Sequence, residues 1–403
     1  MINTIQKKTR AISNSENIQG SADKNINLMR ILTISNCPLV ESQGSGYVII
    51  NFCRGLLERG HQVDLYGPES YEPFKFLQGK AKSYRQALGI LFFVLIQLAK
   101  KKYDVVEFYG GESWLAASVL SQIYQRRYLL VSHSNGLETY AQKLLFKYLN
   151  STSGDEFPRK WYQLNQAALI EKAFTKVDGI VTVSKEDRNY AVRYRYNNET
   201  RIVAIENCLP ENFIDLKVNF ERKPVIGYCG SWLPRKGIKL IESDLTKLLI
   251  DFPKCLFKII GVDASFRKEE HFPATVCSQI EVIPFVASKQ ELQNIYQSIS
   301  IFILPSIYES FGLVIAEAMA CGCAIAATKT GFAANLRDGE EAIAIAEPLS
   351  PHLYESVSKL LVNEPLRLQV AKKGYQRVQQ LRWESAVEQL EKTYLKWLGE
   401  LRQ

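Results

Sequence analysis

Two acidic residues spaced eight positions apart hold the strongest chemical signal in this chain. Glu309 and Glu317 lie in the segment Leu304-Pro-Ser-Ile-Tyr-Glu-Ser-Phe-Gly-Leu-Val-Ile-Ala-Glu-Ala-Met-Ala320. It reads as an apolar strand end, a polar turn and the start of a helix. A helix start offers unpaired N–H groups, which bind phosphate. Acids beside an anion site fit a ligand that is part phosphate and part polyhydroxyl, as a nucleotide sugar is. The bland reading of Glu309 is an acid favoured by the helix dipole. Glu317 sits among apolar residues, and a buried carboxylate needs a bonding partner, either a protein donor or a ligand hydroxyl.

Three further segments carry usable groups. Gly230-Ser-Trp-Leu-Pro-Arg-Lys-Gly237 ends in the cations Arg235 and Lys236, either of which suits a phosphate. Gly44-Ser45-Gly46 precedes a helix and lets backbone approach a ligand, but it lacks the longer Gly-x-Gly-x-x-Gly fingerprint, which argues against nicotinamide enzymes. His133, one of four histidines, ends a strand within His133-Ser-Asn-Gly-Leu-Glu138. Ligands bind at that end of parallel strands. Its alternative is a half-buried histidine bonded to backbone. Glu138 either faces an acceptor or caps the following helix.

The elements that position these groups alternate. Apolar runs at 28–34, 62–66, 103–108, 128–132 and 179–183 are separated by helical patterns, and the alternation restarts at 224–229, 256–260, 280–285, 300–304 and 323–327. Strand–helix alternation implies parallel sheets covered on both faces. We expect an α/β chain with a disordered tail at 1–27, a first domain at 28–220, a second at 221–380, and a last helix at 381–403 that packs back on the first domain. Helical stretches are expected at about 352–378 and 382–401, with Leu390, Tyr394 and Trp397 on one face of the latter.

The 403 residues suffice for two domains. Eight scattered cysteines, without paired zinc-like spacing, fit reduced core residues in a cytoplasmic protein. No signal-peptide pattern is visible. Residues 1–220 carry a net charge of +7 and the remainder +1, so we expect the first domain to turn a positive face to an anionic or membrane-linked acceptor. The apolar run 88–96, followed by Lys100-Lys101-Lys102, reads first as a buried helix ending in solvated charge, and second as a helix lying on the inner face of a membrane. No nucleic-acid-binding motif is present.

These motifs resemble the family-four retaining glycosyltransferases over residues 28–397. The resemblance rests on Glu309 and Glu317 within Pro-Ser-x-Tyr-Glu-Ser-Phe-Gly, together with Gly44-Ser-Gly46, Gly60-His-Gln-Val63, Val183-Ser184, Glu206-Asn207, Gly230, Lys236-Gly237, Thr330-Gly-Phe332 and Asp338-Gly-Glu340. It implies two Rossmann-like domains facing across a cleft (GT-B type). It also implies transfer of a sugar from a nucleoside-diphosphate sugar to a sugar, lipid-linked or small-molecule acceptor, without cofactor or metal, in polysaccharide, glycolipid or glycoconjugate synthesis. By this resemblance Glu309 touches the donor sugar, Glu317 the ribose, and the turn Ser310-Phe311-Gly312-Leu313 the diphosphate. Lys236 clamps phosphate. Ser231 stands where an arginine is often found, and Arg235 compensates. Gly44, Ser45, Gly46 and Gly230 line the donor site. Glu309, His133 and Lys236 form the implied catalytic set, although some relatives carry their histidine at the slot held here by Asn135. The alternatives are a same-fold epimerase or phosphorylase, or a non-catalytic nucleotide-sugar-binding subunit.

Overall fold

The computed structural model describes residues 28–41, 44–72, 81–123, 126–153, 161–345 and 352–402. The tail expected at 1–27 lies outside the described residues.

Six parallel strands form the first sheet: β1 (Arg30–Ser35), β2 (Gln62–Tyr66), β3 (Val105–Tyr109), β4 (Leu129–Ser134), β5 (Gly179–Thr182) and β6 (Ile202–Ala204), in the order β2-β1-β3-β4-β5-β6. The second sheet contains β7 (Val225–Cys229), β8 (Leu256–Val262), β9 (Ile280–Pro284), β10 (Ile301–Leu304), β11 (Ala324–Thr328) and β12 (Ile343–Ile345). Its order is β12-β11-β10-β7-β8-β9, again all parallel. The central strands β3, β4, β10 and β11 are buried at every residue, as sheets covered on both faces require.

The described helices of eight residues or more are α1 (Gly44–Glu58), α2 (Ala81–Lys100), α3 (Glu138–Ser153), α4 (Trp161–Thr175), α5 (Lys185–Arg193), α6 (Lys289–Gln297), α7 (Leu313–Ala320), α8 (Leu353–Val362), α9 (Glu364–Val378) and α10 (Trp383–Leu401). The stretch expected at 352–378 is two helices. Asn363 caps the second by accepting the Leu366 N–H, and Pro365 sits in its first turn, where its missing N–H is harmless.

One face of the first sheet packs against α2, α4 and α5, through Ile90, Val94, Phe174 and Tyr190. The other packs against α1 and the last helix, α10, which crosses back from the second domain and inserts Val387, Leu390, Tyr394 and Trp397 beside Ile31, Phe52 and Val131. Gly179 makes room for this: a Cβ there would lie 2.2 Å from the Trp397 ring.

The direction in which successive strands are added reverses between β1 and β3 in the first sheet and between β7 and β10 in the second. Ligands of open α/β sheets bind at such switch points, outside the carboxyl ends of the strands. The loops after β1, β3, β7 and β10 all reach one cleft between the domains. No helix among the described residues is long and apolar enough to cross a membrane.

Candidate functional site

The cleft has a volume of about 630 Å³. Its second-domain wall is built from the loops after β7 and β10, adjacent strands of one sheet. The Ile307 N–H donates to the Arg235 carbonyl at 2.8 Å, tying the two loops together. Gly237, at φ +73°, permits the approach, since a Cβ there would fall 2.0 Å from the Pro305 carbonyl oxygen. This contact sets Lys236 against Glu309. Lys236 Nζ donates to Glu309 Oε1 at 2.5 Å, and Ser306 Oγ donates to the same oxygen at 2.6 Å. Both partners of the ion pair are largely buried yet line the cleft.

Gly312 adopts a left-handed conformation (φ 84°, ψ 55°) at the N-cap of α7, turning the chain from the Glu309 loop into the helix. The N–H groups at the start of α7 are thus presented beside Lys236. Gly230, Arg235, Ser310, Phe311, Gly312 and Leu313 all line the cleft with them.

Glu317 is placed differently. It is buried one turn or more along α7, accepting from Lys289 Nζ at 2.6 Å and from the Tyr296 hydroxyl at 3.4 Å. It is not among the residues lining the cleft. Protein donors therefore meet the need that its burial creates, and a ligand hydroxyl is not required for that purpose. Lys289 was not singled out from the sequence; it lies 28 residues from its partner, in no recognisable motif.

From the first domain, Gly44 and Ser45 line the cleft, whereas Gly46 does not. Gly46 is buried against the Pro38 and Val40 carbonyls, each 2.7 Å from where a Cβ would stand, so its smallness serves packing of α1 against the preceding loop. Asn135 and Asn207 also line the cleft, and Asn135 Nδ2 and Asn207 Oδ1 are buried without a hydrogen-bond partner. Both residues border the cleft, and a buried polar atom left unpartnered in a native structure calls for an explanation, of which a bound ligand or water is one.

His133 departs from the expected catalytic position. Its ring stacks on Tyr109 at 4.3 Å, and Nε2 lies 2.6 Å from the Tyr394 hydroxyl and 3.2 Å from Glu107 Oε2. Glu107 also accepts from Thr33 at 2.6 Å and from the Tyr394 hydroxyl. Burial alone would raise the Glu107 pKa, but the His133, Thr33 and Tyr394 contacts outweigh it and hold the carboxyl below its ordinary value. The histidine is thus enclosed in a polar knot beneath α10, off the cleft wall. Asn135, two residues further along, takes the exposed position.

The expected positive face is also absent from the cleft. Among the described residues, the only charged side chain that the first domain contributes to the cleft wall is Glu138. Burial, and then the neighbouring charge of Glu112, raise its pKa to about 7.

Beside the cleft the two domains are latched. The Tyr308 hydroxyl accepts the Leu137 N–H at 2.9 Å and donates to Asp187 Oδ1 at 3.0 Å, while the Gly331 N–H donates to Glu186 at 2.8 Å. Burial raises the Asp187 pKa to about 8, against the lowering effect of the Tyr308 hydrogen bond.

Known proteins share this organisation. Residues 42–212 match the family described as Glycosyltransferase Family 4, and residues 211–377 match Glycosyl transferases group 1. The D-inositol 3-phosphate glycosyltransferase of Corynebacterium diphtheriae is 31% identical over 88% of this chain and 90% of its own length. An uncharacterized glycosyltransferase of Methanocaldococcus jannaschii is 28% identical over 55% of this chain, and the match spans 60% of that relative. Match to the D-inositol 3-phosphate glycosyltransferase of Corynebacterium jeikeium spans 45% of each chain at 26% identity. In fold, the chain is similar to sucrose-phosphate synthase of Thermosynechococcus elongatus, with a TM-score of 0.72, 16% identity, and coverage of 92% of this chain and 100% of that one. Anabaena HepE, solved with UDP and glucose, has a TM-score of 0.63 at 18% identity, covering 91% of this chain and all of its own. Sequence matches to both domains and a near-full-length relative agree with the two facing parallel sheets, and the chain belongs to the family-four glycosyltransferases of GT-B fold.

Proposed function

We propose that this chain is a retaining glycosyltransferase that moves a sugar from a nucleoside-diphosphate sugar to an acceptor hydroxyl. One observation carries the reading: Lys236 and Glu309 meet on the cleft wall, at the carboxyl ends of adjacent strands and beside the start of α7. A cation and helix-terminal N–H groups suit a departing diphosphate, and a carboxylate suits sugar hydroxyls.

On this reading the donor phosphates lie against the N–H groups of Gly312 and Leu313. Lys236 turns from Glu309 to a phosphate oxygen, with Arg235 as a second cation. Glu309, released, accepts hydroxyls of the donor sugar. The acceptor oxygen attacks the anomeric carbon on the face from which the diphosphate leaves. The bond from that carbon to the phosphate oxygen breaks as the new glycosidic bond forms, and the acceptor proton passes to the leaving phosphate. Glu317 reaches the ribose if the Lys289 side chain, about a third exposed, gives way. Asn135 and Asn207 supply the free amide groups on the opposite wall.

The corynebacterial relatives are named for D-inositol 3-phosphate, and HepE was solved with UDP-glucose. UDP sugars are therefore the first donors to test. The acceptor wall argues for a hydroxyl on an unphosphorylated sugar or polyol: it carries Glu138 and, among the described residues, no first-domain cation. A phosphate there would meet a carboxylate rather than a lysine.

Calorimetry with UDP, GDP and ADP, each compared with its nucleoside, tests the placement. Lys236→Ala should weaken diphosphate binding about tenfold or more and leave nucleoside binding nearly unchanged. Equal losses for both would overturn it.

A further inference from the structure

The helix α2 is apolar on its outer face as well as its inner one. Tyr84, Leu88, Phe92, Leu95 and Ile96 are 46%, 46%, 60%, 38% and 51% exposed. Their spacing of three and four residues puts them on one stripe. Ala99 completes it, so that from residue 84 to 99 every exposed position is apolar. The polar residues of the same helix turn inward. Arg85, Gln86 and Gln97 are buried, and Arg85 pairs with Glu72 at 3.0 Å. A surface helix ordinarily does the reverse. Val119, in the neighbouring short helix Trp114–Leu120 that packs on α2, and Ile123 just beyond it add two further exposed apolar side chains.

The sequence segment that carries this stripe is basic. Lys100, Lys101 and Lys102 are exposed at its carboxyl end, and Lys101 is shared with Asp64 at 2.7 Å. Residues 73–103 hold seven Lys and Arg and no Asp or Glu. In the sequence, the first domain's positive excess is concentrated in this segment, and among the described residues it is absent from the cleft wall.

We infer that the exposed face of α2 docks on an anionic lipid surface, with the apolar stripe entering the headgroup boundary and the lysines at its end meeting lipid phosphates. The pattern is that of a helix that lies in the interface: apolar side chains on its exposed face, cations at its margin, and too little apolar character overall to cross. A second copy of the chain is the poorer occupant, because it would bring the same cations without an acidic counterpart in this segment. The inference stands on the surface alone and does not depend on the transfer reaction.

Co-sedimentation of the full chain with phosphatidylcholine vesicles, with and without phosphatidylglycerol, tests it. The chain should pellet with the anionic vesicles, more at low salt than at high, and little with the neutral ones. The triple variant Leu88→Gln, Phe92→Gln, Ile96→Gln should reduce binding at least about tenfold, and so should Lys100→Glu with Lys102→Glu, at roughly 1 kcal/mol per juxtamembrane cation. All five positions are exposed, so melting temperature and UDP binding should be retained. Three results would overturn the inference: no pelleting with anionic vesicles, pelleting unaffected by both variants, or a lipid-free dimer that the apolar substitutions dissociate.

Discussion

Two buried carboxylates, one in each domain, are held by similar partners and do opposite work. Glu107 in the first domain is gripped by His133, Thr33 and Tyr394, and Glu309 in the second by Lys236 and Ser306. Each lies near the carboxyl end of a parallel sheet, close to a switch point. What differs is the opposite side. Over Glu107 lies α10, whose Tyr394 closes the last gap. Over Glu309 lies the cleft. Similar chemistry becomes a lock where an element covers it and, on the proposed reading, a donor site where the cleft lies over it.

The comparison is most easily broken at Glu309. Glu309→Gln should lower transfer by a hundredfold or more with the melting temperature unchanged, as loss of a preorganised charged group does; wild-type transfer would remove Glu309 from the chemistry. The two residues of the β4 loop come next. Asn135→Ala should cost about tenfold in transfer and little stability. His133→Ala should do the reverse, costing about 1–3 kcal/mol in urea unfolding by leaving Glu107 and Tyr394 short of a partner. The folded fraction should transfer within a few-fold of wild type. A large loss of transfer in stable His133→Ala protein would put the histidine back into the site.

The smallest effect concerns the domain latch. Asp187 binds its proton more tightly in the native protein, at a pKa of about 8, than at its ordinary value of 3.8. The stability this group contributes is therefore fully present below about pH 4 and is lost as pH rises to about 8. Asp187→Asn keeps a neutral group against Tyr308 and should flatten this part of the profile. Urea midpoints on either side of the window would show it; parallel profiles for the two proteins would mean that Asp187 is not the titrating group.

Much of the molecule was legible because local signals and tertiary position agree. Strand–helix alternation gave five strands of each sheet but missed the three-residue strands β6 and β12, too short to carry a pattern; the residues around Glu309 gave the second-domain wall, since strand, turn and helix start are contiguous there. His133 misled for a physical reason. A strand end is where ligands bind, but whether a side chain there faces a ligand depends on Tyr394, 261 residues away. Glu317 was similar, with Lys289 on another helix. The apolar run of α2 was read first as buried because hydropathy reports composition and not which side faces out. Summed charge likewise placed +7 in the first half without saying that, among the described residues, the first-domain wall of the cleft carries no cation, whereas three exposed lysines end α2.

The return of α10 to the first domain has a consequence for synthesis. Strands β1–β6 are complete once Ala204 has been made, yet the face formed by Ile31, Phe52 and Val131 receives its cover only with residues 383–401. At about 5–20 residues per second, the ribosome needs about 10–40 s to supply them. Throughout that interval an unfinished apolar surface is presented to the cell while the entire second domain is being made. The early half of this chain thus completes its fold only after the second domain has been made, and α10 is the element that closes it.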